Sequence, residues 1–147
     1  MVSRIGSHIY AEDAKAAVEL YKEAYGLIEK GEPWLDEDGF IIHHNLWLKN
    51  GELFLSVSES KHLPNDSFIE VFSTNNNLSM LFFVFFSDEL EFNNAYSVLT
   101  KDAKLIREIE SEGTDLVCEI VDKYGVFWHL RVPTDRNKVT EHFHTIV

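Results

Sequence analysis

The chain has 147 residues and a formal charge of −12, with 45% apolar and 13% aromatic residues. That length fits one domain able to bury a sizeable core, and eleven Phe argue against intrinsic disorder. The acidic balance argues against a partner that is nucleic acid or anionic membrane; it suits a cationic ligand or simply a solvated acidic surface.

Residues 1–10 carry one Arg and no long apolar stretch, so they do not read as a signal peptide. The longest apolar run, Leu78 to Phe86, is half the length needed to span a bilayer. One cysteine, Cys118, excludes an internal disulfide; it sits in an apolar run beside Glu119 and Asp122, as a small buried hydrophobe does. A cytoplasmic protein is expected.

In chain order, Ile5, Ser7 and Ile9 alternate with Gly6, His8 and Tyr10, which predicts a strand. Asp13 offers an N-cap to a helix carrying Ala14, Ala17, Val18, Tyr21, Ala24 and Tyr25 on one face, and Gly26 ends it. Leu27 to Glu32 reads as a short strand, and Asp36 to Gly39 as a turn. Phe40 to Leu48 and Leu53 to Ser58 are apolar runs joined by Asn50-Gly51, a hairpin signal. Glu59 to Asn77 reads as a connector with an edge strand at Phe68 to Phe72. Ser79 to Phe86 is apolar enough to predict a strand covered on both faces. Ser87 and Asp88 then cap a helix with Phe92, Ala95, Tyr96 and Leu99 inward. Ala103 to Ile109 suits strand or continued helix. Leu116 to Val121 and Val126 to Val132 are strands around Asp122-Lys123-Tyr124-Gly125.

Three landmarks recur. Asp13 and Asp88 lie 75 positions apart, as do Tyr21 and Tyr96, while Gly51 and Gly125 lie 74 apart. A shared offset across a cap, a helix interior and a turn indicates a repeated unit.

The run from Ala14 to Gly26 resembles the first helix of the vicinal oxygen chelate superfamily, which groups glyoxalase I, extradiol dioxygenases and the fosfomycin- and bleomycin-resistance proteins. Asp122 to Leu130 resembles the turn before the last strand in its PhnB-like branch, also labelled demethylubiquinone-methyltransferase-like, with Lys123 where that branch has proline. Gly51 to Ser58 is similar to that branch's hairpin strand. The resemblance spans about Arg4 to Val132. It implies an α+β fold of two βαβββ modules whose mixed sheets curl around a central cleft with the helices outside. The organisation expected is a single domain over 1–147, with module one at 4–60, a connector at 61–77, module two at 78–132 and a tail at 133–147. The resemblance also makes Ala103 to Ile109 a strand and implies a homodimer.

Metal-dependent members of the superfamily hold a divalent ion with His and carboxylates, one on the first and one on the last strand of each module. Counting from the landmarks puts these positions at Gly6, Leu55, Leu81 and His129, of which three offer no donor. His8 faces the same side as Gly6, but a His8–His129 pair would lack carboxylates, Glu52 and Glu119 being poorly placed. No metal and no cofactor is expected.

What remains is a cleft lining. Alternation turns Gly6, His8 and Tyr10 inward, with Leu81, Phe83 and Phe85, and Phe127, His129 and Arg131. The third strand adds either His43, Asn45 and Trp47 or the set containing His44, because a one-residue slip flips the face. The ligand-binding candidates are His8, Tyr10, Trp47, Phe83, His129 and Arg131. Each aromatic alone could be filler. Arg131 could pair an anionic ligand or close a salt bridge. His142-Phe143-His144 is half a metal site at most. No phosphate loop, nucleophile elbow or triad spacing occurs. The expected function is metal-independent binding of a small molecule in the inter-module cleft. The alternatives are an enzyme using a cleft histidine as general base, and a dimeric scaffold with a filled cleft.

Overall fold

The computed structural model describes residues 1–74 and 78–134. The chain divides into two compact units, Met1–Asn77 and Leu78–Val147, each built on the same βαβββ plan.

In the first unit, β1 (His8–Ala11) leads into α1 (Ala14–Tyr25). The Asp13 side chain accepts from the Ala16 N–H, and Gly26 closes the helix at φ +64°, a left-handed conformation that glycine adopts without a Cβ clash. Then come β2 (Trp34–Leu35), β3 (Ile41–Trp47) and β4 (Leu53–Glu59), and the sheet order is β1-β4-β3-β2. The Leu27 to Glu32 strand is reduced to a single bridge, Ile28 to Trp47. Ala14, Ala17, Val18, Tyr21 and Ala24 of α1 are buried together with Ile9, Leu46, Leu55 and Val57 of the sheet. Glu59 is buried there as well; its Oε2 accepts from the Ala14 N–H at 2.8 Å, satisfying a donor that the helix itself leaves open.

Phe68 to Phe72, expected as an edge strand, belongs instead to a helix, α2 (Asp66–Thr74). The Asn65 side chain accepts from the Phe68 N–H and its carbonyl from the Ile69 N–H, so a cap overrides the β-type composition. No residue of α2 is buried.

The second unit repeats the plan with β5 (Phe82–Phe85), α3 (Glu89–Leu99), β6 (Leu105–Glu112), β7 (Asp115–Val121) and β8 (Phe127–Pro133), in the sheet order β5-β8-β7-β6. Asp88 caps α3 through the Leu90 N–H. The core is Phe92, Ala95, Val98 and Leu99 against Cys118, Ile120, Trp128, Leu130 and Val132. Tyr96, expected inward, is half-buried, and Val98 takes the inner place. β5 is an edge strand with Phe83 55% exposed, so its apolar composition does not reflect cover on both faces. Asp122 is fully buried and accepts from the Tyr124 and Val126 N–H groups and from Trp128 Nε1 at 2.8 Å, pinning the β7–β8 turn.

The two hairpins differ by one residue. β7 and β8 pair without interruption from Asp115↔Pro133 to Val121↔Phe127. β3 and β4 slip between Leu46↔Leu55 and Trp47↔Leu53, which leaves Phe54 as the extra residue of a bulge. No helix among the described residues is long and apolar enough to cross a membrane.

Candidate functional site

In each unit the face of the sheet away from the helix carries the chemistry. β1 runs parallel to β4 with His8 opposite Ser56 and Tyr10 opposite Ser58, and Asn45 pairs with Ser56 from the other side. Ile9 and His44 go to the helix side and are buried. The open set on β3 is therefore the one containing His43.

The hydroxyls fix the tautomers of both imidazoles. Ser58 Oγ donates to the Ile42 carbonyl at 2.6 Å, so its one proton is used. His8 Nε2, 2.7 Å from that oxygen, must be the donor. Ser56 Oγ donates to Asn45 Oδ1 at 2.6 Å, and the same oxygen lies 2.9 Å from His43 Nε2, which must donate as well. The His8 ring sits 5.5 Å from His43 and 4.8 Å from Tyr10. Partial desolvation of its ring against the sheet face, then the neighbouring His43, lowers the His8 pKa below its ordinary 6.5. His8 is thus neutral at pH 7, with its lone pair on Nδ1. Trp47 lies at the hairpin end of β3, where the Lys30 ammonium sits 4.2 Å from the ring centroid.

In the second unit one row crosses the whole sheet: Arg107, Glu119, His129 and Phe83 are successive cross-strand partners on β6, β7, β8 and β5. Arg107 donates to Glu119 Oε1 at 2.7 Å and also binds Glu110. Glu119 Oε2 lies 3.8 Å from His129 Nδ1. The Phe83 ring packs 4.9 Å from the His129 ring. His129 is 9% exposed, and its Nε2 has no hydrogen-bond partner among the described residues. Burial pushes its pKa below 6.5, over the opposing pull of Glu119.

Arg131, next along β8 on this face, closes salt bridges: it donates to Glu112 Oε1 at 2.6 Å and to Asp115 Oδ2 at 3.1 Å. Its guanidinium in turn holds the Glu112 carboxyl below its ordinary value. Glu110 and Glu119 thus share the Arg107 guanidinium, and Glu112 and Asp115 share that of Arg131.

At the turn end of this face lies a pocket of about 260 Å³ walled by Leu78, Leu105, Val121 and Phe127, with Arg107 and Glu119 on its polar side. The sequence set Glu119 aside as poorly placed. Counting outward from the β7–β8 turn pairs it with His129, so the signal was present. Arg107 was out of reach, because β6 slips against β7 between Arg107 and Glu110.

The donors of a divalent-metal site do not fit. Gly6 and Leu81 precede β1 and β5 and carry no ligand atom. Leu55 does not even face the open side: the β4 bulge turns it into the core, where it is 2% exposed, and puts Ser56 in its place, with its proton committed to Asn45. No group of three His, Cys, Asp or Glu residues among the described residues could hold a metal ion. His142 and His144 lie outside the described residues.

No family model matches the chain, and no curated protein matches it. Solved structures do. A PhnB protein from Bacillus cereus is 20% identical over 88% of this chain and 99% of its own, with a TM-score of 0.63. A gene product of Arabidopsis thaliana is 23% identical over 88% of this chain and 98% of its own, at 0.59. A glyoxalase/bleomycin resistance protein/dioxygenase family enzyme from Burkholderia phytofirmans is 13% identical over 86% and 94%, at 0.60. The chain therefore has the α+β fold of the glyoxalase/bleomycin-resistance proteins, the fold that the resemblance in its sequence implied.

Proposed function

We propose that this chain is a metal-independent, small-molecule-binding protein of the glyoxalase/bleomycin-resistance type, cytoplasmic and homodimeric. The observation that carries this reading is the composition of the open sheet faces. His8, Tyr10 and His43 on one, and Phe83, His129 and the pocket beside Glu119 on the other, combine aromatic walls with a few fixed polar groups, as ligand sites do. Trp47 and Arg131 contribute less directly, the first as a wall under Lys30, the second as the anchor of Glu112 and Asp115.

The test is a metabolite panel followed by amide and imidazole NMR shifts, run with and without a chelator. Saturable shifts on these faces that survive chelation support the proposal. A spectrum unmoved by every compound would overturn it, as would binding that needs an added divalent ion. Sedimentation at 17.0 kDa would remove the dimer.

A second reading is favoured by the Glu119–His129 pair. A carboxylate on the Nδ1 side and an Nε2 with no hydrogen-bond partner among the described residues is the arrangement of an oriented general base. It predicts a His129 titration that shifts when ligand is added; a titration indifferent to every bound compound excludes it.

A further inference from the structure

We propose that the pocket walled by Leu78, Leu105, Val121 and Phe127 takes a small organic cation, a single-ring or short-chain amine whose ammonium is received by Glu119. The proposal rests on the small-molecule-binding reading and adds the ligand's size, charge and seat.

Size comes first. At about 260 Å³ the cavity lies just under the range of roughly 300–1,000 Å³ usual for drug-sized ligands, so it suits a smaller body. Its walls set the apolar part. Leu105 and Leu78 are 59% and 43% exposed, apolar surface that a ligand would cover.

Charge decides the head group. Among the described residues, the charged groups of the lining are Glu119 and Arg107. Glu119 Oε1 is engaged by Arg107, but Oε2 stands 3.8 Å from the His129 nitrogen, longer than a hydrogen bond, and keeps acceptor capacity. Arg107 is 46% exposed and shared with Glu110, so its pairing with Glu119 is the weak kind that a ligand can modify. The guanidinium that an anionic ligand would need is already engaged by two carboxylates, whereas an ammonium would find the acceptor capacity left on Glu119 Oε2.

The experiment uses benzylamine, benzyl alcohol and benzoate, one ring with charges of plus one, zero and minus one, titrated into the full chain at pH 7.5. Calorimetry gives affinity, and amide NMR gives location. Benzylamine is expected to bind saturably with shifts at Leu105, Val121 and Phe127, more tightly than the alcohol, with benzoate weakest. Glu119→Gln should weaken benzylamine by about tenfold, because a charge-assisted bond becomes a neutral one. Leu105→Lys, at an exposed position that leaves the core intact, should abolish binding by placing a fixed ammonium at the mouth.

Benzoate or the alcohol binding as tightly at these residues overturns the cation preference and leaves small-molecule binding standing. Shifts confined to His8, Tyr10 and His43 overturn this seat but not that reading. Benzylamine binding unchanged by both substitutions also overturns the seat. Silence from all three probes overturns this proposal, and the wider metabolite panel then decides the other independently.

Discussion

Asp122 offers the sharpest test of how the second sheet is held. It is fully buried and accepts three hydrogen bonds, from the Tyr124 N–H at 2.8 Å, the Val126 N–H at 3.0 Å and Trp128 Nε1 at 2.8 Å. Asp122→Asn keeps one oxygen for the turn but sets an amide NH₂ against the indole N–H. Trp128 is 1% exposed, so water cannot rescue that donor. An orphaned buried donor costs about 1–3 kcal/mol, and the lost charge-assisted bond adds to it, so a loss of about 2–4 kcal/mol is expected. The turn bonds of the retained oxygen keep the loss from being larger. Trp128→Phe removes the indole N–H, so the double variant should be less destabilised than the sum of the singles by at least about 1 kcal/mol. Urea unfolding followed by far-UV circular dichroism measures all four chains, since it does not depend on the tryptophan removed. Additive losses, or a change under about 0.5 kcal/mol for Asp122→Asn, would refute the reasoning.

Three further outcomes follow from the same geometry. Cys118 is fully buried and its thiol is pushed up to about 12, so a thiol reagent at pH 8 should label the native chain only at the rate at which β7 opens; prompt stoichiometric labelling would contradict its burial. His129 is held neutral, so below about pH 6.5 the unfolded chain takes up a proton that the folded chain refuses. Stability should decline as pH falls from there through the lowered folded value; His129→Gln should remove part of this decline, His8 supplying another part and carboxylates such as Glu112 acting lower still, and a wild-type urea midpoint unchanged between pH 7 and 5.5 would count against it. Glu59→Ala should cost about 1–3 kcal/mol by orphaning the Ala14 N–H at the start of α1, read from urea midpoints.

The helices α1 and α3 were legible because several signals agreed in each: an Asp cap, apolar residues at helical spacing, and for α1 a glycine stop. The 75-residue repeat followed from them. α2 was misread because Phe68-Ile69-Glu70-Val71-Phe72 has the aromatic and β-branched content of a strand, while the deciding feature, the Asn65 cap, sits outside that window. β2 is two residues long and left no periodicity to detect. In the site, alternation placed His8, Tyr10, Phe83 and His129 on the open faces, because a period of two needs only the strand's direction. Which imidazole of β3 joined them depended on the register to β4, and the roles of Leu55 and Arg107 depended on bulges. A bulge is an energetic outcome of two strands together, and neither strand alone announces it. For Arg131 the sequence admits both ligand and salt bridge, because its partners Glu112 and Asp115 come within reach only through the alignment of β6, β7 and β8.

The outer rim of β6 has a consequence for how the protein behaves when crowded. A strand exposed along its length presents amide groups that could template a neighbour's strand at the usual spacing of about 4.8 Å. Here such stacking would bring Glu108, Glu110 and Glu112 of successive copies together, offset in each by Arg107 on the strand and Arg131 beside Glu112, and the kink at its register shift breaks the flat stretch that fibril growth requires.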